Sequence, residues 1–180
     1  MYAQLASAVE SAEMVLIGIG EEWKYSFDAM WKDSLYEGIL EKALDEYKWM
    51  IPYLEYIYMH DHITDYDKSA YGELYNLVRN KNYFVISTCL DRKAYEYGFS
   101  MEKCVFPCGS YEYLQSINNN KNEIVKAVKS DAFNVLISDL RMLLNGKKEI
   151  CDINKPILNG EEMIFNQKRV EWFDVNYNET

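Results

Sequence analysis

The sequence predicts an α/β domain in which a short parallel sheet is packed between helices, in a three-layer Rossmann-like arrangement. The apolar run MVLIGIG at 14–20 is continuous and ends in glycines, which is typical of a strand buried on both faces. The run NYFVISTC at 82–89 is rich in β-branched and aromatic residues and predicts a second buried strand. A short third strand is predicted at 103–107, where Pro107 ends the strand or places it at an edge.

Helices are predicted before and between these strands. A short helix over 2–13 precedes the first strand, and a tyrosine-rich helical insert follows it over about 21–80. Pro52 interrupts the insert, so we expect a helix to stop or kink just before it. Asp33 or Ser34 is expected to cap the following helical segment.

The remaining chain predicts two further helices and a tail. Residues 111–117 and 123–144 have helical character, and a hairpin-like tail follows over about 147–180. No linker or repeat separates these segments, so we predict a single domain over residues 1–180.

Composition excludes several classes of partner. The 180 residues carry a net charge of −10 with no basic cluster, which disfavours nucleic acid and anionic membranes. No stretch approaches the ~18 apolar residues of a membrane span, and the N-terminus lacks a signal-peptide pattern. The four cysteines are therefore expected to be reduced thiols in a cytoplasmic protein.

Three sequence blocks, taken together and in order, carry a resemblance to a known family. VLIGIG at 15–20 resembles the first strand and glycine turn of sirtuins. YFVISTCLDRKAYEYGF at 83–99 resembles their segment with a strand, Thr-x-Asn-x-Asp and a helix. VFPCGSYEYLQS at 105–116 resembles the strand and loop that hold the catalytic His-Gly. The helical insert and YEYLQS look closest to the bacterial sirtuins that travel with macrodomains, whose activity is ADP-ribosyl transfer.

The resemblance implies a set of site residues and NAD or ADP-ribose as the ligand. Asp91 and Cys108 match catalytic positions of the family. The positions that match cofactor-contacting residues are Gly18, Gly20, Glu21, Ser87, Thr88, Cys89, Asp91 and Gly109.

The departures from the family pattern weaken this expectation. Glu21 and Glu22 follow Gly20 where sirtuins have Ser and small residues, and two carboxylates there would repel a pyrophosphate. Cys89 replaces the family's Asn, and Cys108 replaces its His or Gln. The second half of the Rossmann sheet also has no counterpart, and a complete dinucleotide site needs both halves.

The acidic residues, cysteines and histidines are also considered as sites of other chemistry. Glu21 and Glu22 either stabilise a helix N-terminus or mark a cleft remade for a cationic or neutral ligand. The cysteine spacing shows no tetrahedral zinc set, and His60 and His62, at i and i+2 of a helix, point to different faces. Cys108 could act as a nucleophile only beside a base, which the sequence does not place there.

Two functions remain open from the sequence. The first is a degenerate sirtuin-like module that binds a ligand or protein without catalysis. The second is an active NAD-dependent transferase, deacylase or hydrolase that uses Asp91 with Cys108 or a carboxylate. Half a Rossmann sheet would leave the first strand at an open edge, so we expect a second copy, the C-terminal tail or a partner protein to cover it.

Overall fold

A computed structural model of the chain describes residues 2–20, 23, 27–62, 68–91, 93–95, 97–118 and 124–166. The predictions made for Glu21, Glu22 and the tail beyond residue 166 lie outside the described residues. The helices and strands, in chain order, are α1 (Tyr2–Ser11), β1 (Met14–Ile19), α2 (Glu37–Glu46), α3 (Ile51–His62), α4 (Lys68–Val78), β2 (Asn82–Ser87), β3 (Cys104–Val105), β4 (Ser110–Ser116), β5 (Ile124–Lys126), α5 (Asp131–Leu144), β6 (Ile157–Leu158) and β7 (Glu161–Asn166).

The chain forms two compact units. One unit includes Met1–Lys24 and Thr64–Ser110, and the other consists of Tyr25–Ile63 and Tyr111–Gln167. The predicted helical insert is therefore divided between the units. The assignment of residues 1–180 to a single sirtuin-like domain stays a prediction.

The first unit contains a three-stranded sheet in the order β1-β2-β3. Both pairs of strands are parallel, and the β1–β2 register runs from Met14 opposite Asn82 to Ile19 opposite Ser87. The predicted α/β class with a short parallel sheet is confirmed, and β1 and β2 lie close to their predicted bounds. The third strand is shorter than predicted and covers only Cys104 and Val105.

One face of this sheet forms the core of the first unit. Ile17 and Ile19 of β1 and Val85 of β2 are buried on it. They belong to one cluster with Val9 of α1 and Tyr71 of α4. Burial of these side chains is the main term that stabilises the unit, at ~25 cal/mol per Å² of apolar surface.

The opposite face of the same sheet is exposed. Leu16 is 66% exposed and Phe84 is 37% exposed, so burial alternates along both strands. The expectations that β1 is buried on both faces and that β2 is a second buried strand are therefore wrong for this face, because the core residues of α1 and α4 join the sheet residues of the other face only. A third layer over this face stays a prediction.

The second unit contains a four-stranded sheet in the order β5-β4-β7-β6. The β4–β5 and β6–β7 pairs are antiparallel. The β6–β7 hairpin turns at Asn159 and Gly160, both at positive φ. This hairpin lies within the predicted hairpin-like tail of residues 147–180.

The core of the second unit is formed by its helices and this sheet. Tyr53 of α3 donates a hydrogen bond from its hydroxyl to the carbonyl of Met163 in β7, at 2.9 Å. Its ring lies 4.7 Å from that of Phe165, measured between centroids. The other large side chains buried in this unit include Tyr36, Leu40, Met50, Leu54, Ile57, Leu114, Phe133, Leu136 and Leu140.

Two of the predicted helices are wrong in whole or in part. Residues 111–117 form most of β4 instead of a helix, because β5 and β7 flank this segment on both sides. The predicted helix at 123–144 begins only at Asp131, where Ser130 accepts a hydrogen bond at its Oγ from the Phe133 amide. Residues Ile124–Lys126 pair with β4 instead.

A helix end or kink was predicted before Pro52, and a helix cap was predicted at Asp33 or Ser34. The helix α2 ends before Pro52, and α3 begins at Ile51, so the proline lies in a first helical turn, where its missing amide costs little. Asp33 does not cap α2: its Oδ1 accepts a bond from the Leu35 amide at 2.9 Å, and the N-cap is Tyr36.

Candidate functional site

The candidate site lies where β1 and β2 end. Parallel strands bring their carboxyl ends to one edge of a sheet, and ligands in open α/β folds bind at that edge. The Thr88 amide donates to the Ile19 carbonyl at 3.0 Å, which continues the pairing of the two strands beyond β2. Residues 18–20 and 87–91 are thereby brought together, as the parallel sheet predicts.

The carbonyl of Gly20 is a point of convergence at this edge. The amide of Trp23 donates to it at 3.1 Å, and the Cys89 thiol donates to it at 3.2 Å. Cys89 is only 2% exposed, so its sulfur points inward between the strand ends. A ligand could reach this thiol only if the junction opened.

Ser87 fixes the turn that follows β2. Its hydroxyl is buried and accepts a hydrogen bond from the Cys89 amide at 3.2 Å. Serine and threonine hydroxyls commonly stabilise turns in this way. The side chain of Thr88 points outward and is exposed, with its Oγ1 3.4 Å from the Ile19 carbonyl.

The other predicted site residues lie at the edge of this junction or beyond it. Asp91 is half-buried in the turn after β2. Cys108 is half-buried in the turn after β3, where the next residue, Gly109, has a φ of 98° and donates its amide to the Phe106 carbonyl at 3.2 Å. This backbone conformation favours glycine and explains Gly109 without a ligand.

Gly18 lies apart from the buried junction. It belongs to β1 and is exposed on the uncovered face of the sheet. A Cβ added to Gly18 would have no other atom within 4 Å. Packing within the unit therefore does not explain this glycine, and a molecule could approach the backbone closely here.

An aromatic trio beside the junction was not identified from the sequence. Trp23 lies edge-on to Tyr71, with 4.8 Å between ring centroids, and Tyr71 stacks on Tyr97 at 5.3 Å. No sequence motif links these three positions. Trp23 lies three residues after Gly20, so its indole is held in the segment where the sirtuin pattern has small residues.

The two histidines lie in the second unit and do not converge. His62 stacks on Tyr58 at 4.1 Å, whereas His60 lies 4.3 Å from Tyr56, between ring centroids. They contact different tyrosines of α3, as their spacing predicts. Nowhere in the described residues do three His, Cys, Asp or Glu side chains form a group that could hold a metal ion.

All four cysteines lie within the described residues, and none of them forms a disulfide. Cys89 is buried, Cys104 and Cys108 are half-buried, and Cys151 is exposed. No helix in the described part of the chain has the length and apolar character to cross a bilayer.

Comparisons with known proteins return structural neighbours only. No protein-family model matches the sequence, and no curated protein matches it. The chain is similar to a sirtuin from a study of substrate affinity, with a TM-score of 0.46 and 11% identity over 93% of this chain and 62% of that one. It is also similar to Sir2Af2 bound to a myristoylated histone peptide, with a TM-score of 0.44 and 15% identity over 96% of this chain and 67% of that one. The chain thus spans less than two thirds of the first neighbour, and a TM-score below 0.5 does not establish a shared fold.

Proposed function

We propose that this chain is a degenerate sirtuin-like module that binds a small ligand or a protein without catalysing NAD-dependent chemistry. The observation that carries the proposal is the buried bond between the Cys89 thiol and the Gly20 carbonyl. In the sirtuin pattern this position is an Asn that contacts the ribose side of NAD. Here the side chain is directed inward and ties the ends of β1 and β2 to each other.

The aromatic trio gives further support. A dinucleotide site of this type needs small residues after the glycine turn, so that the pyrophosphate can approach the backbone. Trp23 follows that turn here, its amide bonded to Gly20 and its ring packed on Tyr71. Opening this position for a cofactor would separate two rings whose contact stabilises the unit by ~0.5–1.5 kcal/mol beyond area burial.

Cys108 is a poor replacement for a catalytic histidine. A thiol has a reference pKa of ~8.5, so it exchanges protons weakly near neutrality unless its surroundings shift that value. The histidines contact tyrosines of α3 in the other unit. The described residues therefore offer no imidazole within the unit that contains Cys108.

A second candidate function rests on Asp91. Asp91 is half-buried in the turn after β2, and the chain also retains the Gly18-x-Gly20 pattern of the family at the end of β1. These residues favour an active NAD-dependent ADP-ribosyltransferase or deacylase, or an NAD or ADP-ribose hydrolase. In that function Asp91 acts with Cys108 or with a carboxylate in a remade site.

Two measurements on the pure protein separate the candidates. The first is a thermal-shift titration with NAD, ADP-ribose, nicotinamide and adenosine. A ligand at ~100 times its dissociation constant stabilises the folded state by ~2.7 kcal/mol, which raises Tm by several degrees for a chain of this size. The second is nicotinamide release from NAD, measured for the wild type and for Asp91→Ala. Asp45→Ala, which removes an exposed carboxylate on α2, is the matched control.

The non-catalytic proposal predicts no nicotinamide release in any of the three proteins. Release that falls sharply in Asp91→Ala but not in Asp45→Ala would overturn it in favour of the enzyme. A thermal shift with ADP-ribose or NAD but without release would identify the ligand of a binding module.

Cys89→Asn tests the role of the buried thiol directly. It restores the family's side chain, and we expect it to cost ~1–3 kcal/mol, because a buried amide has more polar atoms than the junction satisfies. No release of nicotinamide should appear. If this single change produced NAD binding and turnover, the remaining site would be intact and the chain would not be degenerate.

A further inference from the structure

The exposed face of the parallel sheet in the first unit is apolar. Five large side chains point out from it, and their exposed fractions are 64% for Met14, 66% for Leu16, 37% for Phe84, 39% for Ile86 and 40% for Val105. Parallel sheets occur almost always with both faces covered. Together these side chains expose on the order of 400 Å² of apolar surface, the size of the largest patch on a typical monomer and often a binding site.

The strand register gives this face a ridge and a gap. Leu16 lies opposite Phe84, so two large side chains stand side by side in one row. Two residues further along, Gly18 lies opposite Ile86, which in turn lies opposite Val105. The row that contains Gly18 is open at its β1 end, since a Cβ there would meet no other atom within 4 Å.

We propose that a second copy of this chain packs face to face on this surface, about a two-fold axis. A two-fold interface presents the same patch on both partners, so the patch must be complementary to itself. This face has both a ridge and a gap. The Leu16–Phe84 ridge of one copy therefore enters the gap at Gly18 of the other copy, and the reverse. This inference does not depend on whether the chain turns over NAD.

The charge distribution permits the contact. The chain carries a net charge of −10, which would oppose self-association if the contacting surface were charged. The outward residues of β1 and β2 are apolar or neutral: Met14, Leu16, Gly18, Asn82, Phe84 and Ile86. The repulsion between copies is therefore spread over other surfaces, and added salt should strengthen the dimer.

The area of the face indicates a weak dimer. Two copies would bury about 800 Å² from the five side chains, and surrounding residues would bring the total toward the small end of specific interfaces, ~1,200 Å². Such an interface is typical of transient complexes. We expect a dissociation constant in the micromolar range.

Sedimentation velocity over a concentration series, from low micromolar to several hundred micromolar, tests the proposal on the full chain. The wild type should change from monomer to dimer, and Leu16→Glu should weaken the dimer at least tenfold. Leu5→Glu is the matched control, since Leu5 is an exposed leucine, at 53%, on α1 of the same unit. Both leucines point outward, so both variants should keep the wild-type Tm and circular dichroism.

Gly18→Leu separates a specific fit from general stickiness. The substitution fits the isolated unit, because the position is open and its φ is not positive. It fills the gap, so it should weaken a ridge-in-gap dimer although it adds apolar surface. Association that strengthens in Gly18→Leu overturns the proposal.

Three other outcomes also overturn it. A wild type that stays monomeric throughout the series shows that no second copy binds this face. If the wild type is monomeric and only Trp172→Ser dimerises, the chain's own C-terminal segment, and not a second copy, occupies the apolar face of the sheet. A dimer insensitive to both Leu16→Glu and Gly18→Leu uses another surface, such as the edge of β1.

Discussion

Removal of the Tyr53 hydroxyl tests how much one buried hydrogen bond stabilises the second unit. Tyr53 is 2% exposed, and its hydroxyl donates to the carbonyl of Met163, itself 1% exposed, at 2.9 Å. Burial raises the pKa of Tyr53, so the hydroxyl stays protonated and remains a donor throughout the physiological range. The bond joins α3 to β7, which are distant in sequence.

Tyr53→Phe keeps the ring contacts with Phe165 and removes only this bond. A buried carbonyl that loses its partner costs ~1–3 kcal/mol, and a neutral hydrogen bond has a net contribution of ~1 kcal/mol. We therefore expect a loss of ~1–2 kcal/mol, or a Tm lower by about 2–8 °C for a chain of this size.

Urea denaturation followed by far-UV circular dichroism measures this loss. The midpoint should fall at an unchanged m value, since the surface exposed on unfolding is the same. Tyr47→Phe is the control, because Tyr47 is a half-buried tyrosine of the same unit whose hydroxyl makes no hydrogen bond among the described residues. If Tyr53→Phe and Tyr47→Phe had equal effects, the bond between α3 and β7 would not contribute, and the reasoning would be refuted.

Three further predictions concern alkaline pH, a helix cap and a glycine. Burial raises the pKa of Tyr36 from 10.0 to about 12. Because the folded state holds this proton more tightly than the unfolded chain, the stabilisation is complete below pH ~10 and is lost as pH rises through about 12. Tyr36→Phe should remove ~1–2 kcal/mol of this alkaline loss in a pH series of urea midpoints. Ser130→Ala should cost ~1 kcal/mol by removing the bond to the Phe133 amide, whereas Ser130→Asp should retain it; equal midpoints for both variants would contradict the cap. Gly98→Ala should lower Tm by several degrees, since Gly98 has a φ of 96° and a Cβ would lie 2.9 Å from the Tyr75 ring, whereas Gly72→Ala, with open space around it, should not.

The sequence was most informative where a local pattern and the final environment agree. The apolar runs at 14–20 and 82–89 predicted β1 and β2 almost to their observed ends. The same runs predicted buried strands, and this failed for one face of both β1 and β2, where Leu16 and Phe84 are exposed. An apolar side chain indicates only that its burial is favourable. Which layer buries it depends on distant parts of the chain or on another molecule.

The wrong helices have a similar cause. Residues 111–116 have no strong period, and β5 and β7, their strand neighbours, come later in the chain. Long-range pairing overrode a weak local preference, as it often does in sheets. Ser130, by contrast, was a readable signal: a serine directly before the apolar positions of α5 marks the helix start that was placed too early.

The candidate site was also predictable only in part. The family resemblance selected Gly20, Ser87 and Cys89, and the parallel pairing of β1 and β2 places them at one edge of the sheet, where hydrogen bonds join them. The inward direction of the Cys89 thiol was not predictable, since it depends on the Gly20 carbonyl turning toward β2. The contact of Trp23 with Tyr71 was equally hidden, because α4 brings Tyr71 to the junction from a different part of the sequence.

Gly18 lies on a surface that both a ligand and a second copy of the chain would use. Its open side lies on the apolar face, so a ligand that approaches its backbone must come from the side that a second copy would cover. Dimerisation and any ligand binding at Gly18 are then mutually exclusive, and each must weaken the other by the same factor. A thermal shift with NAD or ADP-ribose should therefore be larger in the monomeric Leu16→Glu variant than in concentrated wild type. Equal shifts would place the ligand elsewhere, at the Cys89 junction or beyond it, and would leave the uncovered face to the second copy alone.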